Sequence, residues 1–212
     1  MPAHDPLPDE LLDGFRRFRS ARYPQERERY LRLVERGQQP RTMLIGCSDS
    51  RSVPETVFDA LPGELFVVRN VGGLVPVYAP DTRSHAASAA LEYAVLHLGV
   101  TSIVVMGHGR CGGVAAALGD ATPLSSTDFI GSWTQGLRDL AEDLDPTDWA
   151  DPARAHRALE YRSVEQSLVN LETFPWIRSR ERAGSVRLAG CWYDIGLGEL
   201  HQLSIDGWHP VP

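Results

Sequence analysis

Short apolar runs that alternate with helically spaced segments constrain this chain more than any other feature. Residues 43–46 form one run, ending at Cys47, and residues 65–68, rich in Phe and Val, form a second. A third, SIVVM, covers 102–106, and a fourth covers 185–193. Between the second and third, Ala86, Ala87, Ala90, Leu91, Ala94, Val95 and Leu98 recur at helical spacing before Gly99, where a glycine ends a helix. Gly112 and Gly113 open a small-residue helix over 114–118. Asp151 and Pro152 form a cap and first-turn pair for a helix whose buried face carries Leu159, Val164, Leu168 and Leu171. Buried strands alternating with helices predict an α/β domain with a mainly parallel central sheet flanked by helices.

Residues 8–36 place Leu11, Leu12, Phe15, Phe18, Tyr30, Leu31 and Val34 at three- and four-residue spacings among many Arg and Glu. That pattern predicts N-terminal arm helices over 1–36, within one domain spanning 1–212. Residues 120–152, rich in Asp, Ser, Thr, Pro and Gly, are expected to form a loop or lid. The 21 Lys plus Arg are scattered under a net charge of −7, which leaves no footprint for a nucleic-acid backbone. No apolar stretch approaches the roughly 20 residues that span a bilayer. The opening MPAHDPLPDELLDGF does not read as a secretory signal, so the expected location is cytoplasmic, with no membrane partner. Three cysteines cannot build a disulfide framework, and in a reducing compartment they point to metal or thiol chemistry.

Two segments carry that chemistry. Cys47-Ser48-Asp49-Ser50-Arg51 follows the first apolar run, and Gly107-His108-Gly109-Arg110-Cys111-Gly112-Gly113 follows the third. In a parallel sheet, right-handed crossovers gather the carboxyl ends of the strands on one side, so Cys47 and His108 can meet across some sixty residues. Two thiolates and one imidazole supply three corners of a zinc tetrahedron and leave the fourth open, as a catalytic metal requires. Asp49 and Arg51, two apart, can form a charge-assisted pair on one side of an extended turn. Cys191, inside an apolar run, is expected in the core. A competing motif is Gly107-x-Gly109-x-x-Gly112, a dinucleotide fingerprint, for which an acidic residue about twenty positions on should bind ribose. Asp128 lies sixteen beyond Gly112, but in a polar loop segment.

C-x-D-x-R followed some sixty residues later by H-x-x-C-G-G resembles the signature of the β-class carbonic anhydrases. The resemblance extends over roughly residues 25–200, through Pro62-Gly63-Glu64, Phe66-Val67-Val68-Arg69-Asn70, Glu92-Tyr93-Ala94 and Trp192-Tyr193-Asp194. It implies zinc ligands Cys47, His108 and Cys111, a catalytic dyad of Asp49 and Arg51, and Asp49 as a fourth ligand in a closed form. It further implies substrate-pocket roles for Gln38, Phe66, Val71, Tyr93 and Gly112, and a homodimer or homotetramer with the active site near the interface. The implied reaction is reversible hydration of carbon dioxide to bicarbonate by a metal-bound hydroxide. Hydrolysis of carbonyl sulfide or carbon disulfide is the alternative enzyme, and a structural zinc module closed by Asp49 the non-enzyme. Some members hold bicarbonate at a second site; Arg69 and Tyr193 match two of its positions here, while Leu44 replaces the Trp at the third, so anion binding there is expected to be weaker by roughly 10- to 150-fold and bicarbonate to act only as a simple product inhibitor. Ser52 stands where an apolar residue is usual, and Gly72-Gly73 where Ala-Asn is common.

Overall fold

A computed structural model describes residues 5–81, 84–119 and 122–212. The chain parts into two compact units between Gln39 and Pro40. In the first, helix α1 (Asp9–Arg17) runs through a π-type turn (Phe18–Arg22) into α2 (Tyr23–Arg36). Its apolar side chains meet one another: the Phe18 ring packs edge-on against Tyr23 and Tyr30, with centroids 5.9 and 6.2 Å away. No residue of either helix is buried, as the interspersed Arg and Glu require.

Among the described residues, the second unit has six strands, β1 (Thr42–Cys47), β2 (Leu65–Asn70), β3 (Ser102–His108), β4 (Arg187–Asp194), β5 (Glu199–Ser204) and β6 (Gly207–Pro210). They lie in the order β2-β1-β3-β4-β5-β6. The first four strands are parallel, which the apolar runs anticipate, and β5 and β6 add an antiparallel edge. That edge lies beyond the last expected strand. Glu199–Ser204 has only Leu200 and Leu203 as apolar residues and buries none of its residues fully, so it gives no buried-strand signal.

The helices are α3 (Pro54–Val57), α4 (Ala86–Glu92), α5 (Gly112–Leu118), α6 (Phe129–Trp133), α7 (Gln135–Glu142), α8 (Pro152–Glu172) and α9 (Pro175–Arg182). A π-type turn (Tyr93–Leu98) continues α4 and ends at Gly99, whose φ of 69° supplies the left-handed stop. Asp151 caps α8 by accepting the Ala153 N–H at 2.9 Å. The expected loop or lid at 120–152 instead contains α6 and α7. Leu137, Ala141 and Leu144 recur at helical spacing and bury against Val114 and Ala117 of α5, an amphipathic signal hidden among acidic residues.

The core follows strand alternation. Met43, Ile45, Ile103 and Val105 pack against Leu91, Ala94 and Val95 and against Val164 and Leu171 of α8. Leu44, Met106 and Cys191 form a second cluster with Val57 of α3. Because β1 pairs with β2 on one side and β3 on the other, the chain reverses direction across the sheet between β1 and β3. The crevice at the carboxyl ends of those two strands is where such sheets bind ligands.

Helix α8 lies close on β3 because Gly107 has no side chain. A Cβ there would stand 2.8 Å from Val164 Cγ2 and 3.3 Å from the Trp192 ring. Val164 is buried and β-branched, so it cannot rotate away cheaply. Gly107→Ala is therefore expected to lower stability by about 1–3 kcal/mol. Gly136→Ala, whose Cβ meets nothing within 4 Å, should raise it by about 0.5–1 kcal/mol. Urea denaturation of both variants checks the pair, and a neutral Gly107→Ala would contradict this packing.

Candidate metal centre

Cys47 is the last residue of β1 and His108 the last of β3, and the two strands pair with Gly46 opposite Met106. Cys111 follows at the turn into α5, where Arg110 takes a positive φ of 55°. Their donor atoms all lie within 4.8 Å of one another, with the two sulfurs 3.9 Å apart. All three side chains are buried, and the three cysteines are free thiols.

The chemistry of this group fits a zinc ion. Tetrahedral zinc with sulfur at about 2.3 Å holds two thiolates roughly 3.8 Å apart, close to the separation seen here. The His108 Nδ1–H donates to the Gly109 carbonyl at 3.0 Å, which leaves Nε2 as the lone-pair nitrogen. Nε2 is buried and, among the described residues, has no hydrogen-bond partner, as a ligand atom awaiting a cation would be. The thiols behave as a coupled pair. A hydrogen bond from Cys111 holds Cys47 well below the usual thiol range, against the effect of burial and with help from His108 and the Asp49 and Gly72 amides. Cys111 is pushed up by the Cys47 thiolate and by burial. One proton is thus shared, and both sulfurs can ionise together only beside a cation.

Long polar side chains tie the ligand-bearing loops together. Arg51 grips Asp49 bidentately, Nε to Oδ1 at 2.9 Å and Nη2 to Oδ2 at 2.7 Å, and Nη2 also donates to the Arg110 carbonyl at 3.1 Å. Arg69 donates to the Cys47 and Asp49 carbonyls at 2.8 and 2.7 Å. Asn70 clamps Leu74 through both its amide ends, closing the turn at Val71–Gly73. Gly73 is required in that turn, since its φ is +65° and a Cβ would stand 3.0 Å from the Cys47 nitrogen. Ser52, the departure after Arg51, is fully buried and donates its hydroxyl to the Asp49 carbonyl.

Two of the three glycines of the competing fingerprint, Gly107 and Gly109, serve packing, while a Cβ on Gly112 would meet open space. Gly107 admits α8, a Cβ on Gly109 would meet the Trp192 ring at 3.2 Å, and Asp128 caps α6 through the Gly131 N–H. Cys191 is buried in β4, where burial pushes its thiol up to about 12.

A family model described as carbonic anhydrase matches residues 42–200. The chain belongs to the β-carbonic anhydrase family. A carbonic anhydrase of Pseudomonas aeruginosa is 36% identical over 194 residues, covering 92% of this chain and 86% of that protein. The solved β-carbonic anhydrase CcaA superposes with a TM-score of 0.85 at 30% identity, over 92% of this chain and 94% of the other. One of two tetrameric β-carbonic anhydrases from Sordaria macrospora gives 0.81 at 27% identity, over 96% and 98% of the two chains. β-Carbonic anhydrases are zinc enzymes, and Cys47, His108 and Cys111 form the group here that can hold the ion.

The fold brings Cys47, Asp49, Arg51, His108 and Cys111 together. Val71 borders the start of α5, its Cγ1 3.2 Å from where a Gly113 Cβ would stand, and its carbonyl accepts the Trp133 indole N–H at 2.7 Å. Gly112 is exposed at the first turn of α5. Phe66 and Tyr93 pair with each other at 5.9 Å, but Phe66 lies opposite Met43, four residues before the level of Cys47, roughly 13 Å along the strand. Gln38 is exposed in the first unit. The sequence reading missed Glu160 of α8, which is 2% exposed and accepts the Cys111 backbone N–H at 3.0 Å. Its available signal was a charged residue between Leu159 and Val164 on the buried face, four after His156.

Asp49 Oδ2 is 3.9 Å from His108 Nε2, and hydrogen bonds from Arg51, opposed only by partial burial, hold the carboxyl well below the usual carboxylate range. A depressed folded value means that its ionised form stabilises the protein fully above about pH 3.9 and loses that effect as pH falls further. The carboxyl 13C resonance of Asp49, assigned with Asp49→Asn, should therefore stay flat from pH 8 to about 4.5. A midpoint between pH 5 and 8 would mean that Arg51 does not hold the carboxylate.

Proposed function

We propose that this chain catalyses reversible hydration of carbon dioxide to bicarbonate and a proton. The observation that carries this is the buried Cys47, His108 and Cys111 triad with the Asp49–Arg51 pair beside it. Zinc held there would act as a Lewis acid and supply a water-derived nucleophile near neutral pH. Asp49, kept ionised and aimed by Arg51, accepts a hydrogen bond from the attacking water and so directs its lone pair at the substrate. An Asp49 turned to Arg51 does not close the metal, which counts against a purely structural zinc module. The family match favours carbon dioxide over carbonyl sulfide or carbon disulfide.

The smallness of the substrate calls for an apolar pocket more than for many polar contacts. Val71 and Gly112 border the metal loops and suit its lining. Phe66 and Tyr93, remote from Cys47 on their own chain and with Tyr93 exposed, suit a pocket wall supplied across an interface between two copies. A homodimer or homotetramer follows, in keeping with the tetrameric relative. The free thiols suit a reducing compartment, which supports a cytoplasmic location. Among the described residues no helix is long and apolar enough to cross a membrane.

Carbon dioxide hydration before and after chelation, with zinc content measured alongside, tests this function. One zinc per chain and activity that returns with zinc are expected, and Cys47→Ser, His108→Ala and Cys111→Ser should each lose both. Asp49→Asn should keep its zinc yet fall by about 10²–10⁴ in turnover. Zinc-loaded protein without hydration activity would refute the assignment, and near-normal turnover in Asp49→Asn would remove Asp49 from the mechanism.

A further inference from the structure

Beneath the metal loops, α8 presents one carboxylate to three donors. Glu160 Oε1 accepts the Cys111 backbone N–H at 3.0 Å and faces His156 Nδ1 at 2.7 Å, and Oε2 accepts the Trp192 indole N–H at 3.0 Å. Trp192 is 1% exposed and belongs to β4; His156 lies one turn before Glu160 on α8. Burying a carboxylate is costly, and hydrophobic packing or a neutral side chain is the cheaper way to fill space. Only an acceptor at both ends satisfies this set: a glutamine would turn its amide hydrogens toward one of the donors.

The backbone it holds is under constraint. Arg110, just before Cys111, has a φ of 55°, unfavourable for a residue with a side chain. Its neighbour Gly109 lies against the Trp192 ring, where a Cβ would come within 3.2 Å. The turn carrying Cys111 is therefore laid on Trp192 and drawn down by Glu160, while Arg51 holds the Arg110 carbonyl from the other side. Taking Cys47, His108 and Cys111 to be the zinc site, we propose that Glu160 is a positioning residue for it. By holding the Cys111 N–H while anchored on the Trp192 indole, its carboxylate sets the place of Cys111 relative to Cys47.

The test compares zinc affinity of the folded wild type and Glu160→Gln by chelator competition at one pH, with the visible spectrum of the cobalt-substituted proteins and thermal unfolding of each. Residues that orient metal ligands typically contribute 10- to 100-fold in affinity, so a loss of about that size is expected, together with shifted thiolate-to-cobalt bands. Unchanged affinity and superimposable cobalt spectra, with or without a lower melting temperature, would overturn the proposal and leave Glu160 a structural residue. Should Glu160→Gln not fold, Glu160→Asp, which keeps the charge but withdraws it by one methylene, is judged on the same two readouts. A wild type that fails to take up zinc would instead overturn the assignment of the centre, and with it this inference. A wild type that binds zinc normally beside an unaltered variant overturns the inference alone.

Discussion

Parallel pairing of β1 with β3 is the constraint on which the rest of this molecule depends. With Gly46 opposite Met106, the two strands deliver Cys47 and His108 at adjacent carboxyl ends, at the point where the chain reverses across the sheet. The apolar residues of the strands hold that register, because a slip of one residue would exchange Met43 and Ile45, packed with Leu91 and Val164, for Leu44, packed with Met106 and Val57 on the other face. Only the third ligand, Cys111, needs a separate device. It gets one from a left-handed Arg110, from the start of α5 and from the polar ties above and below the turn.

Those ties explain how loops hold a geometry that a metal needs to within fractions of an ångström. Arg51 bridges the first ligand loop to the second, and Arg69 fastens the carbonyls of Cys47 and Asp49. Arg51 is largely exposed, so its pair with Asp49 contributes orientation more than stability. The buried bonds of Glu160 act differently, since no water can replace a lost partner there. Arg69 commits its Nε–H and an Nη2–H to the Cys47 and Asp49 carbonyls, and Leu44 is fully buried, so both support the strand end beside Cys47.

Much of this was legible in the sequence. Apolar runs disclosed the four parallel strands, and the position of Cys47 and His108 at their ends disclosed the metal group, because strand ends are set by composition and the sheet does the rest. Features that depend on marginal burial were not legible. The β5 and β6 edge has too few apolar residues to announce itself, and α6 and α7 hid their stripe among acidic side chains. Glu160 was invisible because a glutamate in a helix ordinarily faces water; only the arrival of Trp192 and Cys111 from other elements makes it an acceptor in the core. Phe66, to which the resemblance gives a pocket role, lies by strand register well below Cys47 on its own chain, which the sequence could not disclose.

X-ray absorption at the zinc edge of the zinc-loaded protein tests the central claim most directly, because it counts and identifies the atoms around the ion. Two sulfurs at about 2.3 Å with nitrogen and oxygen neighbours at about 2.0–2.1 Å are expected from Cys47, Cys111, His108 and one exchangeable ligand. A shell without sulfur, or one with three or four sulfurs, would contradict the account.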